Sequence, residues 1–326
     1  MTVFIAAEGL TRIFSASRPA VEDLTFQIQR GEIFALLGPN GAGKTTTIRL
    51  LAGLIAPSSG TVFVDGMDLR EPARLTDVHR RIGILPETPG LYESLTAYRN
   101  LQFFGRLNSM VPVDLERRIH QLLEEFELWD RRDERVATYS KGMKQKVAIA
   151  RAMLHDPECL ILDEPISGLD PEAAKVVRDY ILRLRSQGRT ILLSTHNLDD
   201  ADRLSDRVAV LRSRLLALDS PAELKRRLFR PTTDYQFVAL DDATAAAVQA
   251  FPAVRDVRRS GNQLFVQLDD PDRDNPALLA MLIGRGAQVQ YVERTAHSLE
   301  EVYLKLVDDD KAQRSGSPPL ASGSVT

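Results

Sequence analysis

Residues Gly38, Pro39, Asn40, Gly41, Ala42, Gly43, Lys44 and Thr45 spell G-x-x-x-x-G-K-[ST], and no other stretch of the 326 residues constrains the fold as strongly. The apolar run 33–37 before them reads as a buried strand, and 45–54 after them reads as a helix. That strand, loop and helix succession is the setting the motif requires. Successive backbone N–H groups can then turn inward around an anion. Glycines let the main chain wrap closely, the helix N-terminus adds roughly half a positive charge, and the Lys44 ammonium reaches the β- and γ-phosphates. The Thr45 hydroxyl is left for Mg²⁺, and Thr46 completes the set of candidate nucleotide-binding residues. The plain alternative, a Gly-rich turn before a helix, needs four fixed positions to agree by chance.

The length exceeds one typical compact domain, so two domains are expected. Apolar residues at 44% and charged residues at 27% describe an ordinary globular chain. A net charge of −3 gives no electrostatic reason to expect nucleic acid or anionic lipid as a partner. Lys225, Arg226 and Arg227 cluster locally, as the solvated end of a helix does. Cys159 is the single cysteine, which excludes an internal disulfide and suits a reducing cytoplasm. No apolar run approaches the roughly 18 residues of a membrane span. A membrane role is therefore expected to come through a partner.

Residues 1 to 30 alternate between apolar and polar positions, which predicts antiparallel strands with one wet face. Strand-like runs follow at 33–37, 61–64, 82–85, 159–162, 190–194 and 208–211, with helical patterns between the later ones. This alternation predicts an α/β fold with a twisted, mostly parallel core sheet. From about residue 96 to 138 the pattern is helical throughout and reads as a helical insert, with Trp129 and the Phe103, Phe104 pair as packing residues. A helix after Ser220-Pro221 closes the first domain, residues 1–230, and Pro231 marks the boundary. Residues 232–309 read as a small α+β module, ferredoxin-like in order, with no phosphate loop or metal cluster. Residues 310–326 read as a disordered tail.

A second chemical feature is an apolar strand, 159–162, that ends in Asp163 and Glu164, placed where a strand neighbouring the phosphate loop can sit. In nucleotide hydrolysis the first carboxylate can hold Mg²⁺ and the second can polarise the attacking water. Among five histidines, His196 alone ends an apolar strand; His79, His120, His155 and His297 read as surface or capping residues.

Further segments complete a pattern. Tyr139-Ser140-Lys141-Gly142-Met143-Lys144-Gln145 is similar to the LSGGQ signature, Ser167-Gly168-Leu169-Asp170 to a D-loop, and Ser194-Thr195-His196 to a switch histidine. Over about residues 1–230 the chain resembles the nucleotide-binding subunit of an ATP-binding cassette (ABC) transporter. The resemblance implies a P-loop NTPase of ABC type that binds ATP and Mg²⁺. It implies Glu164 and His196 as catalytic residues, Phe14 as the aromatic on adenine, and Thr45, Glu87 and Asp163 on the metal side. It also implies that Ser140, Gly142 and Asp170 serve an ATP shared with a second ATP-binding subunit, and that a separate transmembrane permease docks near residues 86 to 104. There Leu91, Tyr92, Leu95, Phe103 and Phe104 would line the groove.

Two features depart from the family pattern. Glu87 stands where Gln is usual, and the signature has Lys141 for the first Gly and Met143 for Gln. Glu87, this signature and the extension ending at Ser298-Leu-Glu-Glu-Val-Tyr303 resemble the drug and ion exporter branch. Two other readings stay open on sequence alone: an ABC ATPase without a permease, acting on ribosomes or DNA, and a P-loop kinase.

Overall fold

The computed structural model describes residues 2–14, 19–229, 232–294 and 297–315. It divides into two units, one of residues 2–221 rejoined by residues 310–315, the other Ala222–Asp309.

The first unit opens with β1 (Val3–Ile13) and β2 (Pro19–Gln29), then β3 (Ile33–Leu37), α1 (Lys44–Leu51), β4 (Ser59–Val64), β5 (Met67–Asp68), α2 (Leu75–Arg81) and β6 (Ile82–Leu85). Next come α3 (Ala97–Leu107), α4 (Pro112–Glu125) and α5 (Lys141–Ala152). The unit continues with β7 (Cys159–Asp163), α6 (Pro171–Ser186), β8 (Thr190–Thr195), α7 (Leu198–Leu204), β9 (Arg207–Arg212) and β10 (Arg214–Asp219).

Two sheets result. The first is antiparallel in the order β2-β1-β4-β5, with Val21, Leu24, Phe26 and Ile28 of β2 buried and alternate residues outward. The second runs β10-β9-β3-β8-β7-β6 and is parallel except for β10. Every residue of β3, β7 and β8 is buried, as strands covered on both faces must be. One core joins the sheets through α1, with Phe4, Leu10 and Phe26 packing in the same cluster as Phe34, Ile48, Leu51 and Ile161.

Three placements differ from the sequence reading. The acid-bearing β7 is not next to β3; β8 lies between them. The run at 61–64 belongs to the antiparallel sheet, paired with β1. An additional strand, β10, forms from RLLALD, whose residues are all half-buried and lack a readable alternation.

The second unit takes nearly all of α8 (Pro221–Leu228), then β11 (Thr232–Phe237), α9 (Asp242–Gln249), β12 (Val254–Ser260), β13 (Gln263–Leu268), α10 (Pro271–Gly284), β14 (Val289–Arg294) and α11 (Leu299–Ser315) as far as Asp309. Its sheet is antiparallel in the order β12-β13-β11-β14, the ferredoxin-like arrangement of a βαββαβ chain. Tyr235, Phe237, Leu264, Val266, Leu278 and Leu282 fill its core. Contacts thus separate the units after Pro221, the first residue of α8. Pro231, at which the sequence sets a boundary, lies outside the described residues.

The tail reading is corrected for residues 310–315, which continue α11. Asp310 is buried and ion-paired with Arg212 at 3.4 Å and with Arg214, both in the first unit, so the chain here has a partner that holds it in order. Residues 316–326, the rest of that expected tail, lie outside the described residues.

Candidate functional site

The loop after β3 is shaped by what its glycines permit. A side chain at Gly43 would meet Ala20 O at 2.4 Å, and its φ of 95° lies in the left-handed region. Gly43 is also the N-cap of α1 and offers no side chain to satisfy the first helical N–H groups. Among the described residues, the N–H groups of Gly41, Gly43, Lys44 and Thr45 have no acceptor. They form a concave set of donors at a helix start, the arrangement that holds a phosphate. Lys44 is buried, and its ammonium donates to Gly38 O at 2.7 Å and Pro39 O at 3.3 Å.

Opposite stand the two acids. Asp163 is buried, and Ser194 Oγ of the intervening β8 donates to its Oδ1 at 2.5 Å. The same hydroxyl accepts the Glu164 N–H at 3.0 Å. Glu164 has φ 51°, a left-handed conformation for a residue with a side chain, of the kind that concentrates at functional sites. Its carboxylate lies 3.2 Å from Lys44 Nζ through Oε1 and 2.9 Å from His196 Nδ1 through Oε2. The structure therefore brings Lys44, Asp163, Glu164 and His196 together at the carboxyl ends of parallel strands, where ligands of open α/β sheets bind.

Ser140 and Asp170 sit in a second cluster. Ser140 is the N-cap of α5 and accepts Met143 N–H at 3.2 Å; Asp170 is the N-cap of α6 and accepts Ala173 N–H at 2.9 Å. Gly142 allows the two helix starts to meet, since a Cβ there would lie 2.7 Å from that of Ala173. Among the described residues no hydrogen bond or ion pair joins Ser140 or Gly142 to the phosphate loop. Glu87 is exposed on the loop after β6. Phe14 is 59% exposed with the Arg12 guanidinium 4.7 Å from its ring centre, whereas Phe4 and Phe26 are buried. Tyr92, Phe103 and Phe104 form one aromatic cluster, with centroids 5.1, 5.9 and 5.4 Å apart. His79 and His155 bond backbone carbonyls, of Ala52 at 2.9 Å and Ile82 at 3.0 Å.

Comparison with known proteins adds identity to this geometry. Residues 21–167 match the model of the ABC transporter family, and residues 220–307 match that of the ATP-binding protein DrrA1-3-like, C-terminal domain. A Nod factor export ATP-binding protein I of Cupriavidus metallidurans is 35% identical over 307 residues, 94% of this chain and 98% of that one. The chain belongs to the ABC transporter ATP-binding family. A fluoroquinolones export ATP-binding protein of Mycobacterium tuberculosis is 46% identical to this ABC protein over 227 residues, 69% of this chain and 73% of the other. Among solved structures, an ATP binding subunit of an ABC transporter is similar with a TM-score of 0.62 and 36% identity, covering 69% of this chain and 93% of that one. An ATP-binding cassette dimer bound to ADP and Pi shares the fold, with a TM-score of 0.61 at 22% identity, covering 66% and 98%.

The contacts of three residues of this ABC protein escape sequence reasoning, although Gln145 and Ser194 stand inside segments the sequence singles out. Ser194 is one serine in an apolar strand, and its link to both acids spans some thirty residues. Gln145 is buried and donates to Pro165 O at 2.8 Å, tying α5 to the turn after Glu164. Asn100 is fully buried and both accepts from Tyr92 N and donates to Tyr92 O. The one available signal was a polar residue on an otherwise apolar face.

Proposed function

We propose that the chain is the ATP-hydrolysing subunit of an ABC exporter, which pairs with a second ATP-binding subunit around two MgATP and drives a separate membrane permease. One observation carries the reading: a single carboxylate, Glu164, touches both the phosphate-loop cation Lys44 and the strand-end His196. That is the arrangement of a general base poised beside a phosphoryl group.

The donors suit a magnesium triphosphate. Among the described residues no cluster of three or more His, Cys, Asp or Glu could hold a metal. A cation held here would draw on one or two side chains and on phosphate oxygens, as Mg²⁺ commonly does. Thr45, Asp163 and Glu87 are the side chains assigned to it. When bound, Mg²⁺ would neutralise charge on the phosphate oxygens. Lys44 and the loop N–H groups hold the phosphates, and Phe14 offers its exposed ring to adenine. Glu164 takes the proton of the attacking water, and His196 keeps that carboxylate in place. Ser140 caps α5 through its oxygen, which leaves its O–H proton free to donate to an anion from outside the monomer. Together with the Gly142 N–H and the positive end of α5, it covers the γ-phosphate bound to the second subunit.

Among the described residues no helix is long and apolar enough to cross a membrane, so the membrane-spanning part is assigned to the partner. The aromatic cluster of Tyr92, Phe103 and Phe104 is the surface assigned to docking on the inner face of the membrane. Export is supported by the names of the similar proteins in Cupriavidus and Mycobacterium. The deciding experiment is affinity purification of Glu164→Gln from membranes with MgATP. Recovery of a two-subunit ATPase with a polytopic partner is expected, and a protein that stays monomeric and alone refutes the proposal.

A further inference from the structure

The segment between β6 and α3 carries Glu87, yet little of the surrounding fold holds it. Among the described residues, the hydrogen bonds to the main chain of residues 87–91 come from one side chain. Arg151 Nη1 donates to Pro89 O at 2.8 Å and to Gly90 O at 2.9 Å. Gly90 has φ 61°, and a Cβ there would lie 3.3 Å from that nitrogen, so the absence of a side chain lets the guanidinium come close. The other face of the group lies over Phe104, 4.9 Å from the ring centre. Burial lowers the Arg151 pKa, and the two carbonyls and the ring offset that cost.

Arg151 stands in the last turn of α5, the helix whose first turn Ser140 caps. Eleven residues at a rise of 1.5 Å put the two about 16 Å apart along one rigid axis. On the dimeric reading above, one end of α5 is turned to the second subunit, while the other grips the main chain of the loop that carries Glu87.

We propose that Arg151 is a positioning residue that couples the two nucleotide sites of the dimer: movement of α5 at Ser140 is transmitted through the Arg151 clamp to the Glu87 loop. The proposal rests on the dimeric reading above and on Glu87 as a metal-side residue. Planarity matters here, because a guanidinium lays a flat face on Phe104 while one of its nitrogens bonds both carbonyls, whereas a lysine ammonium has no flat face to stack.

The test uses the full chain with its membrane partner and the variants Arg151→Ala, Arg151→Lys and Glu87→Gln. In Arg151→Ala, hydrogen exchange of residues 86–92 rises while that of β6 and α5 holds, the signature of a local release. The Mg²⁺ concentration for half-maximal ATPase rises about tenfold, the usual cost of losing an outer support of a metal ligand. The Hill coefficient for ATP falls toward one, and nucleotide binding in EDTA is unchanged. Arg151→Lys restores these values in part, and it decides the matter should the alanine variant fail to fold. Unchanged loop exchange, or an unchanged Hill coefficient in a protein with a released loop, overturns the proposal. If Glu87→Gln leaves the Mg²⁺ dependence unmoved, the metal role of Glu87 falls, and exchange and cooperativity alone decide Arg151. A wild-type Hill coefficient of one removes the dimeric reading, and with it the coupling.

Discussion

Ser194 Oγ and Asp163 Oδ1 lie 2.5 Å apart across two neighbouring parallel strands, and the same oxygen receives the Glu164 N–H. One hydroxyl on β8 thereby sets the position of both acids at the end of β7. Replacing it with a methyl leaves a buried carboxylate short of a donor, at a cost of about 1–3 kcal/mol. Ser194→Ala is therefore expected to reduce kcat by about tenfold with little change in ATP affinity, checked by steady-state ATPase and nucleotide titration. An affinity loss matching the loss of kcat would place the serine in binding instead.

Glu164→Gln keeps the shape of the side chain and removes its basicity. Turnover should fall by at least about a hundredfold, the scale of general-base catalysis. ATP binding should persist, and size-exclusion chromatography with light scattering should show a dimer with MgATP. Turnover near wild type would dismiss Glu164 as the base.

Lys44→Ala removes a cation that is 6% exposed and leaves Glu164 beside an empty position. Fluorescent-nucleotide titration should show ATP affinity weakened by more than about tenfold, since charge-assisted bonds to phosphate contribute roughly twice a neutral one. Undiminished affinity would mean that the loop amides suffice.

Ser140→Arg puts a long cation where the α5 cap stands. Nucleotide binding to the monomer should survive, because among the described residues no hydrogen bond links Ser140 to the phosphate loop, while cooperative hydrolysis should vanish. Intact cooperativity would break the shared-site proposal.

Burial pushes the Cys159 thiol far above its ordinary range. The neutral thiol is a poor nucleophile, so iodoacetamide at mildly alkaline pH should leave the native protein unmodified and label it after denaturation, as mass spectrometry would record. The sign of the linkage follows. Above about pH 8.5 the unfolded chain releases this proton and the folded chain keeps it, so folding stability should decline as pH rises.

The phosphate loop and the acid-tipped strand were legible because each is local: a period or a turn written within a dozen residues. Strand order was not. Nothing in the run at 159–162 says that the run at 190–194 will insert beside it, because lateral pairing is settled by packing between distant segments. Phe14 shows the same limit from the other side. Three aromatics compete in sequence, and only burial of Phe4 and Phe26 leaves one facing solvent. Arg151 and Ser194 look like an ordinary helix arginine and strand serine, and their partners lie sixty and thirty residues away. The tail reading failed for residues 310–315 because Asp310 finds two arginines that composition alone does not announce.

The 3.2 Å pair between Lys44 and Glu164 has a last consequence. A triphosphate entering the cradle competes with the carboxylate for one ammonium. Until it arrives, the group that would strip a proton from water is engaged by the very charge the substrate will claim. On the proposed reading the pair acts as an interlock, in which arrival of the phosphates is what releases Glu164.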